Sequence, residues 1–252
     1  MMAQTITGVK LVLSDPQVFS ECIGAVSKLV DEATIKATPT HIEITAMDPA
    51  NVALISFRME SRAFLEYSIS EDTSFAIKLG SLKQVLSRRE KDGTVSLAVD
   101  NNQLKIVLNG KSRKEFILPL IELEEKQQKM PELKFGFEVI LDNAEFREAV
   151  ADVAIVAESC EFRIADKKFV VSGAGDSSRA VSDTKGVVKE LGEDKTAKAK
   201  YGIEYLDKML GTKLSKNAKL YLAKDYPMKL SYVSDNGTVS IEYLLAPRIE
   251  ND

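Results

Sequence analysis

Two stretches of the chain share one pattern, and this repetition decides the fold. Residues 15–33 read DPQVFSECIGAVSKLVDEA, and residues 142–160 read DNAEFREAVADVAIVAESC. Aligned from their first residues, the two segments place aspartate on aspartate, phenylalanine on phenylalanine and apolar residues on apolar residues at helical spacing. Residues 82–86, LKQVL, and 206–210, LDKML, form a second matching pair. A repeat of half the chain predicts two domains of one fold, each with two helices in the same order.

Signals for helix starts, strands and turns accompany this repeat. Asp15 is expected to cap the first helix and Pro16 to be its first residue, because aspartate accepts free backbone amides and proline has none to donate. A second helix is predicted over residues 80–90, and Asn109-Gly110 predicts a tight turn. Period-two alternation predicts the strands of the first half at residues 5–13, 33–38, 41–46, 52–59, 72–78, 94–99, 103–109 and 112–118. The predicted class is α+β, in which each half contains two units of one strand, one helix and three strands.

Length and composition place the chain among globular proteins. Its 252 residues suit two domains of about 125 residues each. Hydrophobic residues make up 44% and charged residues 29%, and no apolar run reaches the length of a membrane span or follows a basic N-terminal segment. The net charge of −4 argues against a simple cationic nucleic-acid binder. Cys22 and Cys160 are the only cysteines, and two free, buried thiols are favoured over a disulfide.

The segment between the two halves combines features of a linker and of a docking surface. Residues 119–131 read PLIELEEKQQKMP and are bracketed by prolines, which disfavour a helix or a central strand. The segment also carries Leu120, Ile121, Leu123 and Met130, which a free linker does not need. We therefore predict that part of it lies against the protein or against a ligand, with simple docking on the surface as the plainer alternative.

The sequence holds no constellation of catalytic or metal-binding residues. His41 is the only histidine, and it is expected at the surface where a strand begins, so histidine-based nucleophilic catalysis is disfavoured. Neither a metal-ligand spacing nor a complete phosphate-binding glycine loop is present. Residues 173–176, GAGD, lack a third glycine and predict a turn or a bulge at a sheet edge. A non-enzymatic protein that uses no metal or other cofactor is therefore predicted.

Four further strings resemble one protein family along the whole chain. They are AMDPANVAL at 46–54, LLAPRIE at 244–250, KLVDEA at 28–33 and LPLIEL at 118–123. Together they resemble the DNA sliding clamp family, proliferating cell nuclear antigen (PCNA), in its archaeal form. The resemblance implies that three two-domain subunits close into a ring, with helices lining the hole and sheets outside. It also implies the domain bounds, which are 1–118 for the N-terminal clamp domain, 119–133 for the interdomain connector and 134–252 for the C-terminal clamp domain.

The resemblance further implies how subunits meet each other and DNA. Ring closure would pair the strand at 112–118 with a strand at about 175–183 of the next subunit. A closed ring needs only weak phosphate contacts that permit sliding. Several positions that are basic in relatives are neutral here, so an ordinary solvated helix face stays open as the alternative; they are Ser20, Ser27, Gln84, Ser87 and Ala151. The residues expected to face DNA are Lys28, Lys83, Arg88, Arg147, Lys208 and Lys213.

Client proteins of the family carry a short motif, the PCNA-interacting peptide, which presents a glutamine, an aliphatic and two aromatic residues. By resemblance, the residues that bind it are Met47, Asn51, Val52, Leu123, Met130, Pro131, Gly202, Pro227, Leu244, Ala246 and Pro247. Asn51 would stand at the rim, and the backbone of Gly202, Ala246 and Pro247 would meet the glutamine. The alternative is that Met47, Val52 and Leu244 are ordinary core residues and that Pro227 is a turn residue.

The resemblance thus implies a DNA polymerase sliding clamp, or processivity factor, that encircles duplex DNA without reading its sequence. Its implied partners are DNA polymerase, the clamp loader, flap endonuclease and DNA ligase. The expected location is the cytoplasm of an archaeal cell, at the nucleoid, or the nucleus of a eukaryotic one. A homotrimer and one subunit of a heterotrimer both remain open. A DNA-processing enzyme of duplicated, β-rich fold is the alternative from another class.

Overall fold

The computed structural model describes residues 9–123 and 128–248, which form two compact units. The first unit contains residues up to Met47, Ile55–Lys129 and Val233–Ile241, and the second contains Asp48–Leu54, Met130–Tyr232 and the residues from Glu242 onward. Residues 5–8 of the first predicted strand, 124–127 of the predicted linker and 249–250 of the C-terminal string lie outside the described residues.

Both halves of the chain contain the same elements in the same order. In the first half these are β1 (Val9–Leu13), α1 (Pro16–Val26), β2 (Glu32–Ala37), β3 (His41–Met47), β4 (Ala53–Glu60), β5 (Phe64–Ser68), β6 (Thr73–Lys78), α2 (Leu79–Leu86), β7 (Thr94–Asp100), β8 (Gln103–Asn109) and β9 (Arg113–Pro119). In the second half they are β10 (Phe137–Asp142), α3 (Asn143–Ala154), β11 (Ser159–Ala165), β12 (Lys168–Ala174), β13 (Arg179–Asp183), β14 (Val187–Glu190), β15 (Ala197–Gly202), α4 (Ile203–Met209), β16 (Asn217–Leu222), β17 (Met228–Val233) and β18 (Val239–Leu245). The predicted α+β class and the predicted repeat are confirmed.

The strands form antiparallel sheets within each unit. In the first unit, β5, β1, β7, β8 and β9 are neighbours in that order, and β2 lies between β3 and β6. In the second unit, β13, β12, β11 and β15 form one sheet, and β10 lies between β14 and β16. Strands β9 and β13 are therefore each the last strand of a sheet within the described residues, which leaves one row of backbone groups open for pairing.

Each half has one strand more than the sequence pattern predicts. Strand β5 pairs with β1, and strand β14 pairs with β10, so the extra strands occupy corresponding positions. Both are short and largely exposed, with the sequences FLEYS and VVKE. An alternating sequence pattern reveals a strand only when one face of the strand is buried. These two edge strands bury few side chains and are defined by backbone pairing with their neighbours. They were missed for this reason.

The second helix is shorter than predicted. Helix α2 ends at Leu86 rather than near residue 90, and the amides of Arg88 and Arg89 donate to carbonyls only three residues back. After Leu86 the sequence SRRE offers no further residue for the apolar face, so nothing in the core holds another helical turn. Lys28 and Arg88 follow the ends of their helices instead of lying within them, and Lys213 lies beyond the end of α4.

Helix α1 begins as predicted, and α3 begins in the same way. The Asp15 carboxylate accepts the amides of Gln17 and Val18 at 2.9 and 3.2 Å. The Asp142 carboxylate accepts the amides of Ala144 and Glu145 at the same two distances, 2.9 and 3.2 Å. An aspartate cap at each start stabilises a helix by about 1 kcal/mol.

The core of each unit is formed by the apolar faces of its helices packed on its sheets. Phe19 and Leu82 in the first unit, and Phe146 and Leu206 in the second, are all fully buried. Cys22 and Cys160 are buried and free, as predicted, and burial raises the pKa of both thiols, which keeps them protonated and unreactive. Among the described residues, no helix is long and apolar enough to cross a membrane.

Two smaller predictions differ in outcome. Gly173 and Ala174 end β12, and the Gly175 amide donates to the Ser178 carbonyl at 2.9 Å, so the predicted turn is confirmed. A β-carbon at Gly175 would lie 2.3 Å from the carbonyl oxygen of Val156, which explains the glycine. His41 does begin a strand, but its side chain is only 12% exposed and contacts Thr38, Glu43 and Arg58, so the surface position was wrong.

Candidate functional site

A groove of about 590 Å³ lies within the first unit. It is lined by residues from β2, β3 and β6 and by Leu123, Gln128 and Lys129 of the linker. Met47 and Leu123 are half-buried and supply apolar surface. The lining residues are Val30, Glu32, Ala33, Thr34, Lys36, Glu43, Thr45, Ala46, Met47, Ser74, Leu123, Gln128 and Lys129. A concave surface that mixes apolar side chains with charged edges can hold an amphipathic peptide.

The first residues of the linker are tied to the sheets of this unit. The Leu120 amide donates to the Asn102 carbonyl at 3.1 Å, and the Ile121 amide donates to the Ala76 carbonyl at 3.0 Å. Ile121 thereby forms a single antiparallel bridge with the outer strand β6. The prediction that part of the linker lies against the protein is confirmed, and this attachment places Leu123 on the groove.

Three charged residues of the groove, Glu32, Lys36 and Glu43, form ion pairs near the surface. Lys36 lies 3.5 Å from Glu43, and Glu32 lies 3.9 Å from Lys78. Exposed pairs of this kind contribute about 0–1 kcal/mol to stability. They leave both signs of charge beside the apolar surface, where they can contact polar residues of a bound peptide.

A second set of predicted residues lies in the second unit, around the loop that follows β3. The Asp48 side chain is buried, and its Oδ1 accepts the amides of Val52 and Ala53, both at 2.7 Å. Its Oδ2 accepts the Ala50 amide at 3.1 Å and the Tyr205 hydroxyl of α4 at 2.7 Å. One carboxylate therefore receives four hydrogen bonds, three of them from its own loop.

These hydrogen bonds change the acidity of both side chains. Burial alone would raise the pKa of Asp48, but the hydrogen bonds from Ala53, Tyr205, Val52 and Ala50 outweigh it and lower the pKa below its ordinary value. The bond to the carboxylate, together with burial, raises the pKa of Tyr205 to about 12. The pair is therefore a carboxylate and a neutral phenol throughout the physiological range.

The last described residues of the chain pack beside this loop. The Ala246 amide donates to the Val52 carbonyl at 2.9 Å, and the Arg248 amide donates to the Lys200 carbonyl at 2.7 Å. A β-carbon at Gly202 would lie 3.4 Å from Nε of Arg248, so the end of β15 and the C-terminal segment are close neighbours. Loop, strand end and C-terminal segment thus form one connected backbone surface.

The predicted peptide-binding residues differ in how much surface they offer. Asn51 and Pro131 are exposed, whereas Leu244 and Gly202 are buried. The half-buried ones are Met47, Val52, Leu123, Met130, Pro227, Ala246 and Pro247. Met47 and Leu123 share the groove of the first unit, and all the others belong to the second unit. The buried Leu244 side chain packs in the core, and Gly202 has only backbone to offer.

The predicted DNA-facing residues lie on, or just beyond, the four helices. Lys83 is on α2, Arg147 on α3 and Lys208 on α4. Lys208 differs from the other five because it is half-buried, bonds Glu204 at 2.8 Å and lies 5.0 Å from the centre of the Tyr205 ring. The five exposed residues are Lys28, Lys83, Arg88, Arg147 and Lys213.

Sequence reasoning missed three residues of the second set: Asp48, Tyr205 and Arg248. Asp48-Pro49 directly after a predicted strand is typical of an aspartate that bonds its own loop, so Asp48 could have been found. Tyr205 and Arg248 carry no such local signal, because their partners lie far away along the chain. Within the described ranges, no group of three or more His, Cys, Asp or Glu side chains could hold a metal ion.

Comparisons with known proteins point to a single family. A family model described as "Proliferating cell nuclear antigen, N-terminal domain" matches residues 9–129. The DNA polymerase sliding clamp of Thermococcus gammatolerans is 30% identical over 248 residues, which cover 96% of this chain and 98% of the relative. That of Thermofilum pendens is 29% identical over 248 residues, covering 96% of this chain and all of the relative.

Solved structures agree in fold. PCNA from Thermococcus kodakaraensis has a TM-score of 0.89 at 24% identity, covering 95% of this chain and all of that one. A chain of the PCNA2–PCNA3 complex from Sulfolobus tokodaii has a TM-score of 0.86 at 22% identity. The match covers 96% of this chain and all of that one. Sliding clamps are non-enzymatic processivity factors, so the prediction of a protein without catalytic activity is confirmed, and the alternative of a DNA-processing enzyme was wrong. The chain belongs to the archaeal type of the DNA polymerase sliding clamp family, PCNA.

Proposed function

We propose that this chain is one subunit of a trimeric ring that encircles duplex DNA, holds DNA polymerase on its template and recruits other replication and repair proteins. The observation that carries this proposal is the match to relatives named DNA polymerase sliding clamp over 96% of the chain. A subunit that keeps the full length and fold of such clamps keeps the elements that a ring needs. Such a ring works wherever chromosomal DNA is replicated, so we expect it at the nucleoid.

Ring closure is proposed to use two of the edge strands, β9 and the neighbouring subunit's β13. Each has one open row of backbone donors and acceptors, and antiparallel pairing would satisfy both rows. Each also exposes one branched apolar side chain, Ile117 and Val181, both 54% exposed. A heterologous contact of this kind repeats around a closed ring. The same chemistry serves a homotrimer and a ring with sister subunits.

DNA is proposed to be held by topology rather than by tight contacts. The six basic residues Lys28, Lys83, Arg88, Arg147, Lys208 and Lys213 are proposed to meet phosphates only, without reading bases. Contacts of this kind depend on salt and permit sliding. A ring that cannot dissociate without opening needs no stronger attachment.

Clients are proposed to bind through a PCNA-interacting peptide that contacts the predicted residues. In the first unit, the groove lined by Met47 and Leu123 supports an apolar anchor. Two buried aromatic rings of about 150–250 Å² each would contribute about 4–6 kcal/mol per ring at about 25 cal/mol per Å². Ordering the peptide costs several kcal/mol, which leaves roughly micromolar affinity. Proposed clients are DNA polymerase, the clamp loader, flap endonuclease and DNA ligase.

Calorimetric titration with a motif peptide tests the client site. Replacing Met47 or Leu123 with glutamate should abolish binding, because a charge would then stand where an aromatic ring is buried. Leu65→Glu is the matched control, since Leu65 is 68% exposed on β5 and is not part of the groove. Light scattering should report an assembled ring for all three variants. Unchanged affinity in both groove variants would place the client site elsewhere.

A further inference from the structure

We propose that Asp48 and Tyr205 are positioning residues for client binding: together they hold the loop of residues 49–52 in the conformation that presents Asn51 and Val52. Neither residue is among those expected to contact the peptide. The inference rests on the proposed function, because it concerns how one part of that site is shaped. It is carried by the hydrogen bonds of one buried carboxylate.

The Asp48 carboxylate organises its loop from inside. It accepts the amides of Ala50, Val52 and Ala53 at 3.1, 2.7 and 2.7 Å. The Asp48 backbone adds two bonds, since its amide donates to the Ala53 carbonyl at 2.8 Å and its carbonyl accepts the Asn51 amide at 3.0 Å. The backbone amides of four consecutive residues, 50–53, therefore all donate to Asp48. A loop bonded in this way has one conformation.

The loop conformation is strained at Asn51, the residue expected at the rim of the client site. Asn51 has a φ of +57°, in the left-handed region that residues with a β-carbon rarely adopt. Asparagine tolerates this region better than most residues, yet the loop still needs bonds on both sides to stay there. The bonds to Asp48 provide them. Without them, Asn51 would return to ordinary φ and its exposed side chain would point elsewhere.

Tyr205 fixes the carboxylate from outside the loop. Its hydroxyl donates to Oδ2 of Asp48 at 2.7 Å, and it stands on helix α4, whose own position is set by the buried Ile203, Leu206 and Met209. A buried carboxylate with three loop donors and no outside donor could rotate with its loop. The fourth bond joins loop and helix within the second unit, and a hydrogen bond to a charged group is stronger than one between neutral groups.

The loop is also hydrogen-bonded to the C-terminal segment. The Val52 carbonyl accepts the Ala246 amide at 2.9 Å, so the backbone of Ala246 and Pro247 follows the loop. A single displacement at Asp48 would therefore move both Val52 and the backbone that is proposed to meet the client glutamine. This explains why a residue that touches no peptide should change peptide affinity.

Three variants of the full chain test the inference. Tyr205→Phe removes only the hydroxyl, and Asp48→Asn replaces one of the two accepting oxygens by an NH2 group that cannot accept. Tyr232→Phe is the matched control, because it also removes a partly buried tyrosine hydroxyl bond in the second unit. That bond goes to Oδ1 of Asn143 at 3.1 Å and does not involve the loop. Each variant is examined by amide hydrogen exchange of residues 50–53 without peptide, and by calorimetry with a motif peptide.

In Tyr205→Phe, the Val52 and Ala53 amide hydrogens should exchange with solvent about tenfold faster, and the peptide should bind about tenfold more weakly. Tyr232→Phe should change neither the exchange rates nor the affinity. Asp48→Asn should have the larger effect, because it also weakens the bonds to the loop amides. Tyr205→Phe added to it should bring little further loss, because the Tyr205 hydroxyl acts on the loop only through Asp48. If Asp48→Asn does not fold, Tyr205→Phe alone decides. Wild-type exchange or wild-type affinity in Tyr205→Phe overturns the inference.

The outcome separates this inference from the proposed client site. Should Met47→Glu and Leu123→Glu both bind the peptide as the wild type does, the proposed client site fails, and with it the claim that the loop serves clients. The exchange rates still report whether Asp48 and Tyr205 hold the loop. Loss of binding in Leu123→Glu with no loss in Tyr205→Phe keeps the client site and rejects the positioning role.

Discussion

Helices α1 and α3 begin alike and expose different surfaces. Both start at an aspartate that accepts two amides at 2.9 and 3.2 Å, and both bury a phenylalanine completely, Phe19 in α1 and Phe146 in α3. Helix α1 has Glu21 as its only charged residue, whereas α3 has three carboxylates and Arg147. The two halves share residue types at the helix caps and at the buried positions, because a hydrogen bond or core packing requires them there. Exposed positions were free to diverge.

The same difference runs through the second helix of each half. Helix α2 has Lys83 as its only charged residue, whereas α4 has Glu204, Asp207 and Lys208. Taken together, α3 and α4 carry five carboxylates and two bases, and α1 and α2 carry one of each. Phosphate contacts should therefore depend more on the first half, where Lys28, Lys83 and Arg88 are exposed. Two halves with one fold thus have different electrostatic surfaces.

The largest expected effect concerns the edge strands proposed to close the ring, β9 in the first unit and β13 in the second. Proline at Glu115, Ile117 or Val181 should dissociate the trimer, because it removes a backbone donor that edge pairing needs. Alanine at the same positions keeps the donor and serves as the control. Light scattering at low concentration measures the mass. Proline variants that remain trimeric would show that one or both edges are assigned wrongly.

The next effect compares the two cores. Phe19→Ala and Phe146→Ala should each destabilise the chain by about 3–5 kcal/mol, since both side chains are fully buried. Phe146→Ala should cost more stability, because Phe146 packs against the rings of Phe162 and Phe169 at 5.5 and 6.0 Å. Within the described residues, Phe19 has a single ring neighbour, Phe57 at 6.3 Å. Denaturant unfolding measures both. A milder loss for Phe146→Ala would contradict the comparison.

A smaller effect tests the charge difference between the halves. Alanine at Lys83 and Arg88 should lower the salt slope of DNA binding by about one unit per residue, equally on all sequences. Alanine at Arg147 and Lys208 should lower it less, because Lys208 is already bonded to Glu204 at 2.8 Å. Alanine at Lys10 and Lys198, which lie on sheet strands, is the control. Equal losses from the two helix pairs, or losses that depend on DNA sequence, would reject this division.

The smallest effect tests how closely the halves still agree. Asp15→Ala and Asp142→Ala should each cost about 1 kcal/mol, because each removes a cap with the same two bonds. Asparagine at either position can still accept an amide and should restore most of the loss. Thermal unfolding of the four variants measures this. Costs that differ by more than about 1 kcal/mol would mean that the two caps are not equivalent.

Much of the fold could be predicted from the sequence, because the patterns that indicate it involve residues close together along the chain. The repeat, the caps at Asp15 and Asp142 and the buried faces of the helices depend on residues within a few positions of one another. The edge strands β5 and β14 escaped prediction because they bury little and are defined by pairing with β1 and β10. Helix α2 was predicted too long because only the missing apolar contacts after Leu86 end it.

The candidate site divides in the same way. The hydrophobic residues of the linker predicted an attachment to the protein, and the amides of Leu120 and Ile121 make it. Asp48-Pro49 is typical of a turn, although this signal was missed. The hydroxyl of Tyr205, 157 positions further along the chain, could not be assigned to Asp48 from the sequence. Hydrogen bonds between distant residues depend on how helices and strands pack, and no local pattern reports that.

The amino-acid sequence by itself determined the duplicated α+β architecture, the helix starts, the core residues and, through four strings of residues, the family. Tertiary structure alone decided where α2 ends, which strands stand at the sheet edges, and that one buried carboxylate, Asp48, joins its loop to Tyr205. The physical reason is the distance along the chain over which each interaction acts. Propensity, capping and periodicity act over a few residues, whereas edge strands and buried hydrogen bonds exist only after distant segments have packed together.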